Sequence, residues 1–234
     1  MNTEVENNIH EKIRIDISYN NFHKIIDKNL PYKFSYLDEW LLKKSKILDK
    51  ESEYLEKSLK NPLNVKRQRF RTYQRGTIVK VDFGIGLGSE MSQIHFAIVL
   101  NNYDNPNNNI LTVIPLTSKS SKFNLYLGTL VMDILLKKIE DEFQPIKEKL
   151  ENNELLTIKE STKLNKLNTL ISYYKSNVKG TYACCSLITT VSKERIFLPV
   201  NEYDIIGRAR CSSEIMNQID EEIKKRFTLT SNSK

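Results

Sequence analysis

Three cysteines in a chain of 234 residues, two of them adjacent, make no disulfide framework. Cys184, Cys185 and Cys211 read as free thiols, as in a reducing cytoplasm. Histidine is equally scarce, at His10, His23 and His95. There is no second Cys/His pair at zinc spacing. Cys184 and Cys185 read as neighbours on one strand, pointing to opposite faces, so no metal site is expected. Long apolar runs are also missing, and nothing approaches the roughly 20 residues of a membrane span. The opening MNTEVENNIH has neither a basic n-region nor an apolar h-region, so no signal peptide is expected. Only seven glycines occur, and three of them crowd into GIGLGSEMSQ. A glycine-rich phosphate loop has to open a helix. This one does not, which removes a nucleotide fingerprint, and no cofactor is expected.

Positive charge is plentiful. The net charge is +7 and the pI near 9.1, a balance that favours an anionic partner such as nucleic acid. The basic residues are most concentrated in Lys66–Arg75, KRQRFRTYQR, where five of them interleave with Phe70 and Tyr73. Such a stretch suits phosphate neutralisation with base stacking, and equally a solvated linker into the strand that follows.

The middle of the chain reads as sheet. Thr77–Phe83 alternates, with Val79, Val81 and Phe83 on one side, while Phe96–Leu100 and Ile110–Leu116 are short continuous apolar runs. All three are rich in Val, Ile and Phe and are bounded by Gly and Asn, as strands are. Asn124–Leu130 reads as another strand, weakened or bent by Gly128, and Tyr182–Val191 as the last long one. Ser192–Arg195 reads as a single turn and Phe197–Ile206 as a short extended segment.

The rest reads as helix. IRIDI at 13–17 suggests a short strand or a frayed end. Asn20–Asn29 has helical spacing up to Pro31, and Ser35–Lys60 forms a longer helix with Ser35 and Asp38 at its start. Leu135, Leu136, Ile139, Phe143, Ile146 and Leu150, then Ile158, Leu164, Leu167, Leu170 and Ile171, predict a helical hairpin, with Thr157 and Glu160 as a capping box. The insert has three candidate roles: widening a groove, covering a dimer face or meeting a partner. Ile215, Ile219, Ile223 and Phe227 stripe a final helix capped by Ser212 or Ser213.

The blocks RGTIVKVDFG, GSE, HFAIVLNN and VIPLTS, followed later by TYACCSLITTVSKERI and a C-terminal helix, resemble the PemK/MazF toxins of type II toxin–antitoxin systems. The resemblance spans roughly 75–130 and 178–228 and leaves residues 1–70 unaccounted for. It implies an α+β fold: a small bent antiparallel sheet, a partly closed SH3-like barrel, with a C-terminal helix. Residues 1–70 would be a helical extension, and 71–234 the PemK/MazF-like domain with a helical insertion at about 131–178. The implied activity is metal-independent, sequence-selective cleavage of single-stranded RNA through the substrate's own 2′-OH, in a cytoplasmic homodimer neutralised by a cognate antitoxin. The glycine-rich loop would be mobile and a contact for that antitoxin.

Carried over by position, the family's loop Arg falls on His95, its strand-end hydroxyl on Thr117 beside Ser118, and its loop acid on Glu90. Catalysis is therefore expected at His95, Thr117, Ser118 and Glu90, and RNA contact at Arg75, Lys119, Arg69, Arg71 and Lys80. His for Arg is a real change. Guanidinium is a permanent two-point phosphate clamp, whereas imidazole, with a reference pKa of about 6.5, is a better acid or base and a poorer anchor. A catalytically degenerate RNA- or protein-binding module on the same fold is the alternative. A nonhydrolytic gyrase poison of the CcdB kind needs a Trp near the C-terminus, and the sole Trp here is Trp40.

Overall fold

The computed structural model describes residues 2–62, 68–174 and 180–228. Lys66 and Arg67 of the basic stretch, and the last residues of the expected insertion, lie outside them. The chain divides into two compact units, Met1–Lys66 with Gly84–Gln93, and Arg67–Phe83 with Ile94–Lys234.

The first unit holds helices α1 (Asn2–Asp27) and α2 (Leu37–Lys60), joined through a short 3-10 turn at Tyr32–Tyr36. The IRIDI stretch is helix, not strand. Ile13, Ile15 and Ile17 are all exposed, so no sheet face rewards their alternation. β-branched residues cost a helix only a few tenths of a kcal/mol each. Nor does Ser35 cap α2: its hydroxyl donates to the Tyr32 carbonyl at 2.8 Å, inside the preceding turn.

The glycine-rich loop Gly84–Gln93 belongs to this unit. Lys33 Nζ donates to the carbonyls of Gly86 (2.8 Å) and Gly88 (3.2 Å), and Gln93 Nε2 donates to that of Tyr32 (3.1 Å). Gly84 has φ +71°, and a Cβ there would stand 1.9 Å from Trp40 Nε1. Only glycine lets the indole lie against this backbone.

The second unit is built on β1 (Ile78–Asp82), β2 (Ile94–Val99), β3 (Ile110–Thr117), β4 (Leu125–Tyr126), β5 (Tyr182–Ala183) and β6 (Thr189–Ser192). All pairings are antiparallel, in the order β1-β2-β3-β5-β4, with β6 also on β3. The sheet does not close into a barrel, although an isolated bridge sets Ile196 beside Val81.

The expected strand Tyr182–Val191 is broken. β5 pairs the end of β3 and β6 its beginning, with a 3-10 turn at Cys185–Leu187 between them. The register moves by three residues across that turn, the length it loops out. Cys184 and Cys185 are therefore not strand neighbours on opposite faces, and both are buried. Asn124–Leu130 also shortens, to Leu125–Tyr126, and Gly128 at φ +69° turns the chain toward α3. Phe197–Ile206 forms turns and no strand.

Helices α3 (Leu130–Glu151), α4 (Ile158–Tyr174) and α5 (Ser213–Phe227) complete the unit. Ile139, Leu170 and Tyr174 join Ile78, Ile98, Ile114 and Leu116 in one buried core, to which α5 adds Ile219. The inserted hairpin thus covers a sheet face. Its turn is a reciprocal cap: Thr157 N–H donates to Glu160 Oε2 (2.9 Å), and Glu160 N–H to Thr157 Oγ1 (3.3 Å). The Lys149 ammonium and these bonds hold the Glu160 carboxyl down at about 2. Ser212 Oγ caps α5 by accepting from Ile215 N–H.

A buried ion pair locks the β2–β3 loop. Lys193 Nζ lies 2.8 and 2.7 Å from the two oxygens of Asp104, whose Oδ2 also accepts from Tyr73 N–H at 2.8 Å. Both side chains are nearly inaccessible. Removing one partner strands the other charge out of water. Asp104→Ala is therefore expected to cost about 3–5 kcal/mol in urea unfolding, with much of the loss recovered by pairing Asp104→Leu with Lys193→Met.

Candidate active site

β3 sets the geometry of the site. Its residues alternate between two buried faces. Ile114 and Leu116 enter the helix-covered core, while Val113 and Pro115 face the other way, together with Val79, Val81 and Ala97. Thr117 belongs to this second face. His95 lies two residues beyond Ala97 on β2, and Thr117 two residues beyond Pro115 on β3, so strand alternation puts both on this face.

Main-chain alternation then orients the imidazole. The Pro115 carbonyl accepts from Cys184 N–H at 2.9 Å, so it points to the β5 side, and the next carbonyl, of Leu116, points toward β2. It meets His95 Nδ1 at 3.1 Å. A carbonyl only accepts, so Nδ1 donates to it and carries hydrogen. Thr117 Oγ1 accepts from Lys119 N–H at 3.2 Å, which leaves the hydroxyl proton to donate. Ser118 and Lys119 follow directly and are exposed.

His95, Thr117, Ser118 and Lys119 therefore gather at one end of β2 and β3. The other expected residues of the second unit stand apart. Lys80 pairs Phe96 in register, so it projects from the opposite face of the sheet. There its Nζ lies 2.5 Å from Tyr173 Oη and 4.3 Å from that ring's centre. Arg75 stands where Gly76 N–H meets the Val99 carbonyl, about 16 Å along β2 from His95. It is held by the Leu100 carbonyl and the Asp220 carboxylate. Arg71 donates to the Gly207 carbonyl at 2.9 Å, and Arg69 is exposed. The stretch carrying these arginines follows the β2–β3 loop, with Phe70 N–H donating to the Pro106 carbonyl. Glu90 lies in the glycine-rich loop of the first unit, where its Oε2 accepts from Leu87 N–H at 2.8 Å.

Two tyrosines escaped the sequence reading. Thr117 pairs Tyr182 on β5, and Tyr182 pairs Tyr126 on β4. A row His95–Thr117–Tyr182–Tyr126 thus crosses four strands on one face. The signal was present in Leu125-Tyr126-Leu127, where the tyrosine sits between inward leucines. Their strand partners, however, follow only from the pairing.

Among the described residues, no three of His, Cys, Asp and Glu are grouped to hold a metal ion. The thiols are inert by burial, which pushes Cys184 up to about 11 and Cys211 to about 12. Native Cys184 should carry about a hundredfold less thiolate at pH 8 than in the unfolded chain, so thiol reagents should label it only after denaturant is added. The linkage sign follows. Between the ordinary value of 9.0 and about 11 the unfolded chain loses its thiol proton while the folded chain keeps it, so folding stability should fall as pH rises through that window.

Residues 74–144 match the family described as PemK-like, MazF-like toxin of type II toxin-antitoxin system. The matched segment runs from the approach to β1 through most of α3 and includes His95, Glu90 and Thr117. No curated protein matches the chain. Among the described residues, no helix is long and apolar enough to cross a membrane.

Proposed function

We propose that the chain is the toxin of a type II toxin–antitoxin pair, and that it acts as a metal-independent, sequence-selective endoribonuclease on single-stranded RNA. What supports this reading is the 3.1 Å bond that ties His95 on β2 to the Leu116 carbonyl, next to Thr117 and within the matched segment.

In this reading the ribose 2′-oxygen forms a bond to phosphorus as the bond to the 5′-oxygen breaks. The products are a 2′,3′-cyclic phosphate and a 5′-hydroxyl. His95 Nε2 hands its proton to the departing 5′-oxygen, which leaves as an alcohol, while Nδ1–H stays on the Leu116 carbonyl and keeps the ring aimed. The hydroxyls of Thr117 and Ser118 donate to the non-bridging oxygens as charge builds there, and Lys119 adds positive field. The 2′-OH proton passes to solvent water. DNA, lacking the 2′-OH, is not cut.

The same reading makes the protein a cytoplasmic homodimer held in check by an antitoxin, with the curved sheet as the SH3-like part of the fold. Residues 1–70 form a helical extension and 131–178 an insertion. Capture of the glycine-rich loop by Lys33 and Trp40 suits an extension that governs that loop.

His95→Asn is the decisive variant, because its amide still donates to the Leu116 carbonyl but moves no proton. Purified protein incubated with mixed RNA and EDTA should yield 5′-hydroxyl ends. His95→Asn should lower that rate by about 10²–10⁴-fold with an unchanged melting temperature. Undiminished cleavage by His95→Asn would refute the assignment. The presence of imidazole at the guanidinium position favours one second reading, a binding module without cleavage, which predicts intact RNA with retained binding.

A further inference from the structure

The row His95–Thr117–Tyr182–Tyr126 extends the candidate site beyond any phosphate. Leu116 and Ala183, on the strands between, turn into the core, so Thr117 and Tyr182 must turn out of it. Tyr126 lies opposite Tyr182 on β4, at the edge of the sheet, and its residue is 57% exposed. The two rings are 4.9 Å apart between centres and tilted by 42°. Gly180 lies against the same ring, and a Cβ there would stand 3.1 Å from Tyr126 Cε2. Tyr182 and Gly180 both pack against the Tyr126 ring.

The neighbouring loop is cationic and aromatic. Lys119 and Lys122 are exposed, Phe123 is 57% exposed, and Lys122 Nζ lies 5.0 Å from the Phe123 ring centre. Two strand spacings, about 10 Å, separate Thr117 from Tyr126. An exposed aromatic ring, lysines beside it and a phosphate-sized donor set along the same row together suit a polyanion with flat bases. A single RNA strand is such a ligand, because its bases are free to stack.

We propose that Tyr126, backed by Tyr182 and Gly180, is the stacking platform for an RNA base flanking the phosphate held at His95 and Thr117. The proposal rests on the nuclease reading above, but its test does not depend on cleavage. The full chain is titrated against a labelled mixed-sequence RNA pool carrying 2′-O-methyl riboses, which lack the nucleophile, and against an abasic backbone of equal length.

Tyr126→Ala should weaken binding of the base-bearing pool by about 10- to 100-fold. Tyr126→Phe should bind like the parent chain, and the abasic backbone should not distinguish Tyr126→Ala from the parent. Equal binding of the base-bearing pool by Tyr126→Ala, or an equal loss on the abasic backbone, overturns the platform. A change in sedimentation of Tyr126→Ala without a change in RNA affinity also overturns it, because the face is then an interface between copies. The two readings separate cleanly. Cleavage of unmodified RNA with Tyr126-independent binding removes the platform alone, whereas intact RNA with Tyr126-dependent binding supports the platform and removes the nuclease.

Discussion

The two-residue pleat of β3 is the constraint on which everything else in the second unit depends. β3 is paired on both edges and buried on both faces, so a slip of one residue would exchange its whole core set for its outward set. Leu116 and Thr117 are adjacent in the chain and opposite in role. One anchors the helix-covered core, and the other stands at the candidate site. The same alternation turns the Leu116 carbonyl toward β2, where it can receive the imidazole. The placing of side chains at this end of the sheet is thus a by-product of how the core is packed.

The face covered by α3, α4 and α5 explains why Lys80 and His95 part company. They lie on neighbouring strands, and sequence position alone makes both plausible partners for one phosphate. Lys80 meets Tyr173 on the helix-covered face, whereas His95 and Thr117 lie on the other. Arg75 is separated by a different cause. It stands at the far end of β2, where the Asp220 carboxylate on α5 takes its charge. Of the basic residues whose position suggested RNA contact, those with long-range structural partners are committed to the fold, and Lys119 stays at the strand end.

Exchange of guanidinium for imidazole changes the work a site can do. A guanidinium holds an anion in two places at any pH, whereas an imidazole anchors through one nitrogen and exchanges a proton at the other. Here the anchoring nitrogen faces a backbone carbonyl, which cannot be mutated away. In the proposed reaction, what imidazole lacks in grip would come from the hydroxyls of Thr117 and Ser118 and from Lys119. Burial holds Cys184 and Cys211 well above the ordinary range, which keeps them protonated.

The sequence by itself determined the strand cores β1 to β3, the helical hairpin with its Thr157–Glu160 cap, the Ser212-capped final helix and the family pattern of the middle segment. Each is encoded by contacts within a few residues, through apolar period, turn chemistry or a reciprocal cap. Only the tertiary structure decided that IRIDI is helix, that Tyr182–Val191 breaks around a three-residue turn and that the glycine-rich loop belongs with the N-terminal helices. It also decided that Asp104 and Lys193 form a buried pair and that His95, Thr117, Tyr182 and Tyr126 stand in one row. These features depend on strand partners and on charges up to 89 residues apart. A residue's neighbours along the chain carry no record of which strand will lie beside it, and that pairing is what turns separate side chains into a site.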